Sequence, residues 1–402
     1  MTMGVKYEEI VAKSLMRIHD TVDDWWWHRN SMNLYRGCEH GCNYCDGRSH
    51  RYHVHEDFDE TIQVKINAPE LLEAELKKLG FSSVRSRDAT LGDFGAPGLG
   101  DGYKGPPKFV VAVGGGVSDS YQPAEKKYGL TRKVLELLRD FELPVSILTK
   151  SDLVLRDMDV LEQINERTYA NVSFTVTTMD EDLREKFEPR STSSEGRLNA
   201  LSELRFKGIH GGVMLMPILP VLADSDWSVD EVVRTAKTAK AQCIMYSTMS
   251  MRAEQRDRMF ELLEKEFPKA VEKYQDIYRK GDWPDDNYTA DTYQRVHKIL
   301  RDLSMPERMA RYIPEGTIAN NLKVCEVLCN MAYFMQLQDI RIEKVRAYRS
   351  AGHAVDELKG DIAKMADTEK LLEVPGVGIV VAKDIKEILK TGTCPLYEKL
   401  RL

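Results

Sequence analysis

Residues 33–48 read NLYRGCEHGCNYCDGR and hold Cys38, Cys42 and Cys45, three of the seven cysteines of the chain. Three thiols in a CxxxCxxC spacing seldom arise from packing alone and read as metal ligands. A structural zinc ion takes four ligands, and His40, His50, His53 and His55 are the local candidates to complete such a set. Zinc sites, however, are usually built from ligand pairs on two separate turns, whereas here all three thiols follow the strand-like SMNLY on a single loop. Three thiolates on one loop suit three corners of a cubane iron-sulfur cluster and leave the fourth iron open to another ligand. The spacing favours the cluster over zinc.

The surrounding sequence is that of a large, ordered chain. Its 402 residues are 42% hydrophobic and 30% charged, enough to bury a full core and too apolar for disorder. No apolar run reaches membrane-spanning length, and the first twenty residues carry scattered charges where a secretory signal has an apolar block. No membrane is expected as a partner. The expectation is a cytoplasmic protein whose thiols stay reduced, so an odd number of cysteines with one tight cluster argues against a disulfide framework. A net charge of −7 argues against general attraction to nucleic acid but allows a local basic face.

Strand and helix signals alternate through about the first 250 residues. Short β-branched runs occur at ETIQVKI (60–66), KFVVAV (108–113), PVSILT (144–149), NVSFTVTT (171–178), GGVMLMPILP (211–220) and CIMYSTM (243–249), with amphipathic segments between them. Buried strands joined by helical crossovers imply a parallel sheet covered by helices. Beyond residue 253 the pattern is helical, and RYIPEGT (311–317) marks a candidate boundary.

Six ordered blocks carry a resemblance. NLYRGCEHGCNYC, FDETIQVKINAPELLEAEL, SDSYQPAEKKYGLTRKVLELL, ILTKSDLVLRDMDVL, VSFTVTTMDEDLREKFEPRS and MPILPVLADSD are similar, in sequence order, to the spore photoproduct lyase-like group of radical S-adenosylmethionine (SAM) proteins. The resemblance implies an α/β fold, a partial TIM-type (β/α)6 barrel, with the cluster loop at the mouth formed by the C-terminal strand ends. It implies a 4Fe-4S cluster on Cys38, Cys42 and Cys45, SAM on the open iron, and reductive cleavage of SAM to a 5'-deoxyadenosyl radical. An external electron donor such as flavodoxin or ferredoxin is then required.

The resemblance also assigns roles nearby. Tyr44 is expected against the adenine. Gly115 and Gly116, in GGGVSDSYQ, let the backbone approach SAM closely, or simply make a tight strand-to-helix turn. Ser118 and Asp119 are expected at the SAM amino or ribose groups, and Lys150 at its carboxylate. Ser173, which lies with Thr175 on the strand VSFTV, is a further candidate for binding SAM. Glu125 and Arg190 read as a structural ion pair. Spore photoproduct lyase chemistry uses a further barrel cysteine to return a hydrogen to a thymine radical, but residues 46–242 contain no cysteine. Tyr103 and Tyr121 are the candidate hydrogen donors, and nothing in the sequence chooses between them.

The C-terminal segment supplies an independent clue. In LLEVPGVGIVVAKDIKEIL (371–389) the Pro-Gly-Val-Gly sits between two apolar-periodic segments, as in a helix-hairpin-helix unit whose backbone N–H groups meet a phosphate. Gly376, Val377 and Gly378 are the candidate DNA-binding residues. Residues 318–402 resemble the N-terminal small domain of family X DNA polymerases; where that domain can carry a Schiff-base lysine, this chain has Asp384, so no abasic-site lyase activity is carried over. Residues 341–402 bear a net charge of +2 against −9 for the rest, which predicts modest DNA affinity from the tail alone.

The expected organisation is a barrel over residues 1–250, a helical extension over 251–317, and a helix-hairpin-helix domain over 318–402. Trp25, Trp26 and Trp27 are expected to bury against the barrel. Cys325 and Cys329, with no neighbouring His or Cys in sequence, read as core residues. The leading function is radical SAM chemistry of lyase type on nucleic acid, such as repair of a DNA lesion. Two alternatives remain: radical modification of a protein or small molecule with the tail as a docking module, and a non-enzymatic, zinc-bearing DNA-binding adaptor.

Overall fold

The buried β-branched runs become the strands that position the site. The computed structural model of the chain describes residues 4–49, 52, 57–84, 109–316 and 318–402. By compactness the described residues form two units, those within 1–17, 31–75 and 111–309, and those within 18–30, 76–110 and 310–402.

Among the described residues, ten strands make two sheets. β1 (Lys6–Ile10), β4 (Tyr35–Arg36) and β5 (Thr61–Lys65) form a three-stranded sheet. The other seven are β2 (Met16–Ile18), β3 (His28–Met32), β6 (Val110–Val113), β7 (Val145–Thr149), β8 (Ala170–Thr175), β9 (Val213–Ile218) and β10 (Ile244–Thr248), in the order β10-β9-β8-β7-β6-β3-β2. From β6 to β10 each pair is parallel, with Val111 opposite Val145, Val145 opposite Ala170, Phe174 opposite Val213, and Val213 opposite Ile244. β6 and β8 are buried at every residue, as expected where helices cover a parallel sheet. The ETIQVKI run is a strand, but of the smaller sheet: β5 pairs parallel with β1 and antiparallel with β4.

The crossovers are α1 (Ala68–Lys78), α2 (Ala124–Tyr128) and α3 (Leu130–Asp140), α4 (Met158–Arg167), α5 (Glu181–Phe187) and α6 (Ser194–Phe206), and α7 (Asp226–Thr238). Their starts are set locally. Asp180 accepts from Leu183 N at 3.0 Å, Ser193 from Gly196 N at 3.0 Å, and Ser225 from Ser228 N at 3.2 Å. Each cap satisfies an otherwise unpaired amide of a first helical turn, an interaction of about 1 kcal/mol. After β10 come α8 (Ala253–Glu266), α9 (Val271–Ile277) and α10 (Asp286–Asp302). Met249, Met251, Met259, Leu263, Tyr274 and Tyr278 share a buried cluster with Cys42, Tyr44 and Phe187, so this helical stretch walls the cysteine loop.

In the second unit α11 (Ala319–Leu337) packs on α12 (Ile342–Asp356), followed by α13 (Ile362–Asp367), α14 (Ile379–Thr391) and α15 (Pro395–Leu400). Val324, Leu328, Met331, Met335, Val345, Tyr348, Val355 and Ile385 form its core. The tryptophans belong to this unit rather than to the barrel. Trp25 meets Tyr333 edge-on with ring centroids 6.1 Å apart, and the Arg311 guanidinium lies 5.1 Å from the Trp27 ring centre. No helix among the described residues is long and apolar enough to cross a membrane.

Candidate active site

Parallel strands end on one side, and the side chains that follow them converge there. A cavity at these ends is lined by Cys38, Cys42 and Cys45 from the cysteine loop, Gly115, Gly116, Ser118 and Asp119 from the turn after β6, Thr149 and Lys150 from the end of β7, and Thr175 from the end of β8. His40 and Phe58 complete one wall.

Cys38 and Cys42 are buried and Cys45 is partly buried. Burial pushes all three thiols above their ordinary value, Cys42 to about 12, partly offset at Cys42 and Cys45 by the Lys150 charge. A buried convergence of thiols that resist ionisation is suited to a cation that would hold them as thiolates. Loop shape comes from Gly37 and Gly41, both in the left-handed region; a Cβ at Gly37 would lie 2.6 Å from the Phe58 carbonyl oxygen.

Gly114, Gly115 and Gly116 have φ of +82°, +88° and +80°. At Gly114 a Cβ would strike Ser120, whereas at Gly115 and Gly116 it would meet nothing within 4 Å. Those two glycines therefore face open space on the cavity wall, a cradle that side chains would fill. Ser118 Oγ is buried there without a hydrogen-bond partner.

Asp119 is the most heavily engaged acid of the mouth. It accepts from Tyr121 N and Thr149 Oγ1, each at 2.8 Å to Oδ1, and from Lys150 N at 2.8 Å to Oδ2, with His40 Nε2 at 3.2 Å. Burial alone would raise its pKa; His40 and these donors instead bring it down to about 2. The Lys150 ammonium lies 5.6 Å from the Tyr44 ring centre, and although burial opposes its charge, Cys42 and Glu188 raise its pKa above the ordinary lysine value.

Other sequence-predicted residues fall elsewhere. Tyr44 is buried beside the cavity rather than on its wall. Its hydroxyl donates to Glu188, and its carbonyl accepts from Gln255 Nε2 at 2.6 Å. Ser173 Oγ accepts from Asn171 Nδ2 at 3.2 Å and Gly212 N at 3.3 Å within the sheet; Thr175, two residues on, reaches the cavity. Tyr121 is fully buried and donates to Asp157 at 3.1 Å. Tyr103, His50, His53 and His55 lie outside the described residues. Glu125 and Arg190 are not partners: Glu125 accepts from Arg156 at 2.7 Å and from Tyr35, while Arg190 donates to Asp59 at 2.9 Å. Each of the two chose the nearer opposite charge in the fold.

Two features were invisible in sequence. Glu188 is fully buried and bonded by Tyr44 and Arg197, and Arg197 also donates to Thr175 O at 2.7 Å. Burial would raise the Glu188 pKa, but Arg197 and Lys150 draw it down to about 2. Outside the cysteine loop, Asp59 meets Arg48 at 2.9 Å, Arg190 at 2.9 Å and Arg258 at 3.1 Å. One carboxylate among three guanidiniums leaves surplus positive charge beside the loop.

In the second unit the hairpin turn stands as read: Gly376 has φ +78°, Val377 is buried, and Gly378 caps α14 with no side-chain hydrogen bond. Asp384 accepts from Tyr348 at 2.6 Å, a structural role.

Comparison with solved structures decides the fold. Spore photoproduct lyase complexed with dinucleoside spore photoproduct aligns with a TM-score of 0.50 at 14% identity, covering 74% of this chain and 79% of that one. The barrel has the fold of spore photoproduct lyase. The likeness is one of fold, the fold that the six sequence blocks implied. A helix-hairpin-helix domain family matches residues 319–394. An uncharacterized protein of Mycobacterium tuberculosis H37Rv is 26% identical over 301 residues, 74% of this chain and 81% of its own length. An uncharacterized protein of Methanocaldococcus jannaschii is 31% identical over 203 residues, 50% of this chain and 64% of its own.

Proposed function

We propose that the chain is a radical SAM enzyme holding a 4Fe-4S cluster on Cys38, Cys42 and Cys45, with SAM in the adjoining cradle and a nucleic-acid lesion as substrate. The observation that carries this reading is the convergence, in one cavity, of three loop thiols with the empty-faced Gly115 and Gly116 and the unpartnered Ser118 hydroxyl.

Held by Cys38, Cys42 and Cys45, such a cluster would supply the electron for reductive cleavage of SAM bound beside it. The residues of this chain supply the rest. Lys150, protonated beside the loop, offers its charge to the SAM carboxylate, and Ser118 offers its hydroxyl to the amino or ribose groups. Asp119, already bonded to Lys150 N, fixes the turn that carries both the glycines and Ser118. Glu188 holds Tyr44 and thereby the conformation of the residue between Cys42 and Cys45. The guanidiniums around Asp59 give an acidic electron-transfer protein such as flavodoxin or ferredoxin a positive surface beside the loop.

Gly115→Val keeps the loop thiols but fills the cradle. The expected result is an iron content equal to the parent and a SAM dissociation constant raised at least tenfold, measured by equilibrium binding on the reconstituted protein. Unchanged SAM affinity would remove the cradle from the account.

DNA as substrate rests on the solved lyase's dinucleoside ligand and on the helix-hairpin-helix domain. The absence of cysteine from residues 46–242 sets the reaction apart from thymine-dimer repair that uses a barrel cysteine. Lys383 and Lys386 stand exposed on α14, one turn beyond the hairpin. Replacing both with Glu is expected to weaken duplex binding and lower the dependence of log affinity on log salt by about 2. A second reading has its own observation: Leu372, Ile379 and Val380 are 58%, 79% and 64% exposed around the same hairpin, an apolar rim suited to a protein partner. Salt-independent binding, insensitive to the two lysines, would favour that protein-docking tail.

A further inference from the structure

Cys325 and Cys329 stand one turn apart on α11 with their Sγ atoms 3.9 Å apart, and in sequence they have no third ligand nearby. The fold supplies two. His353 of α12 and Asp24 bring ligand atoms to Cys329 such that the three lie within 4.8 Å of one another. All four residues belong to the same compact unit.

The convergence is built by packing. Gly352 lets α12 close on α11, since a Cβ there would lie 2.8 Å from the Cys329 sulfur. Asp24 is presented by a fixed turn: Asp23 Oδ1 accepts from Trp25 N at 2.8 Å and Trp26 N at 2.9 Å, and Trp27 N donates to Asp23 O at 2.8 Å. Both sulfurs are fully buried, and His353 Nε2 is buried without a hydrogen-bond partner. Buried polar atoms are nearly always satisfied, so a core built from thiols alone leaves this imidazole unexplained. The cationic surroundings match an electron-rich ligand set. Arg349 Nε donates to Asp24 Oδ2 at 2.9 Å. Arg311 is buried, ion-paired with Asp356, and has Nε and Nη1 without hydrogen-bond partners. The field of Cys325 and Cys329 reaches this guanidinium.

We propose that Cys329, His353 and Asp24 hold a structural zinc ion that ties residues 18–30 to α11 and α12, with Cys325, whose Sγ stands 3.9 Å from that of Cys329 but outside the group of three, drawn in as the fourth ligand. Two thiolates, one imidazole and one carboxylate are a ligand set for a tetrahedral, borderline-soft divalent ion. Two thiolates at about 2.3 Å from a tetrahedral zinc lie about 3.8 Å apart, close to the sulfur separation here. On binding, each thiol gives its proton to solvent, and the resulting complex carries one net negative charge, faced by Arg311 and Arg349.

The test uses the full chain with Cys38, Cys42 and Cys45 all replaced by Ala, so that the barrel loop contributes no metal. After anaerobic purification and gel filtration with a weak chelator, elemental analysis is expected to give one zinc per chain. Adding Cys329→Ser should bring it near zero. Cobalt(II) exchanged for the zinc should show tetrahedral d–d bands with thiolate charge transfer. Arg349→Met, which removes only an outer contact, should weaken cobalt affinity about tenfold to a hundredfold. The cobalt spectrum of the parent does not depend on any variant of this site folding. A six-coordinate or featureless spectrum, or a chain that carries no zinc, would overturn the proposal; so would full zinc retention by Cys329→Ser.

Discussion

Arg197→Met is expected to lower the unfolding free energy of the chain by about 3–5 kcal/mol, the largest loss of stability predicted for a single substitution here. Arg197 and Glu188 are both completely buried, and removing the cation leaves a carboxylate in the interior with Tyr44, Thr177 and Ser191 as its remaining close donors. Glu188→Gln keeps the shape but leaves the buried Arg197 guanidinium with only the Thr175 and Thr192 carbonyls and Ser191 as close acceptors, so it should also destabilise the chain, as expected when either half of a buried pair loses its charge. The sign of the pH dependence follows from the Glu188 pKa. It is drawn from an ordinary 4.5 to about 2 in the folded chain, so its contribution is fully present above the unfolded value and is lost as pH falls from about 4.5 towards 2. Asp119, also brought to about 2, adds to the same acid limb. Denaturant unfolding across that window should show a shallower loss of stability in Glu188→Gln than in the parent. An unchanged slope would mean that Glu188 is not ionised in the folded protein.

The second large effect is on metal content. Cys42→Ala should leave the secondary structure intact, because the loop is held by glycine geometry and by the buried cluster around Phe187, Met249 and Tyr274. Yet anaerobic reconstitution should yield no stable iron and sulfide, since the cluster would keep two of its three thiolates. Cys45→Ala should behave in the same way. The Cys243→Ala variant, which alters a buried thiol outside the cavity lining, should reconstitute like the parent. Equal iron and sulfide in Cys42→Ala and the parent would remove the loop from the account.

What the sequence made legible follows from range. The runs of β-branched residues have their burial written locally; five of them became the parallel strands β6 to β10, and the sixth, ETIQVKI, became β5 of the smaller sheet. β1, with the sequence KYEEI, and β2, with MRI, carry charges on exposed edges and give no such signal. The cysteine loop was readable because its three thiols lie within eight residues, and the hairpin because Gly376 requires a positive φ. Partners far apart in sequence were not. Tyr44 and Glu188 are separated by 144 positions, and Asp24 and Arg349 by 325. No local pattern could join them, and the same distance concealed the company of Cys325 and Cys329. The tryptophans show the converse: their apolar character announced burial, while the surface that buries them was fixed by Tyr333 and Arg311 of a later segment.

The most direct test of the radical SAM reading is the production of 5'-deoxyadenosine by the full, anaerobically reconstituted chain given SAM and a strong reductant. The expected result is 5'-deoxyadenosine with methionine in equal amount, abolished in Cys42→Ala and increased by UV-irradiated DNA relative to undamaged DNA. Stoichiometric zinc in the cysteine loop without sulfide, and no 5'-deoxyadenosine above the Cys42→Ala background, would contradict it.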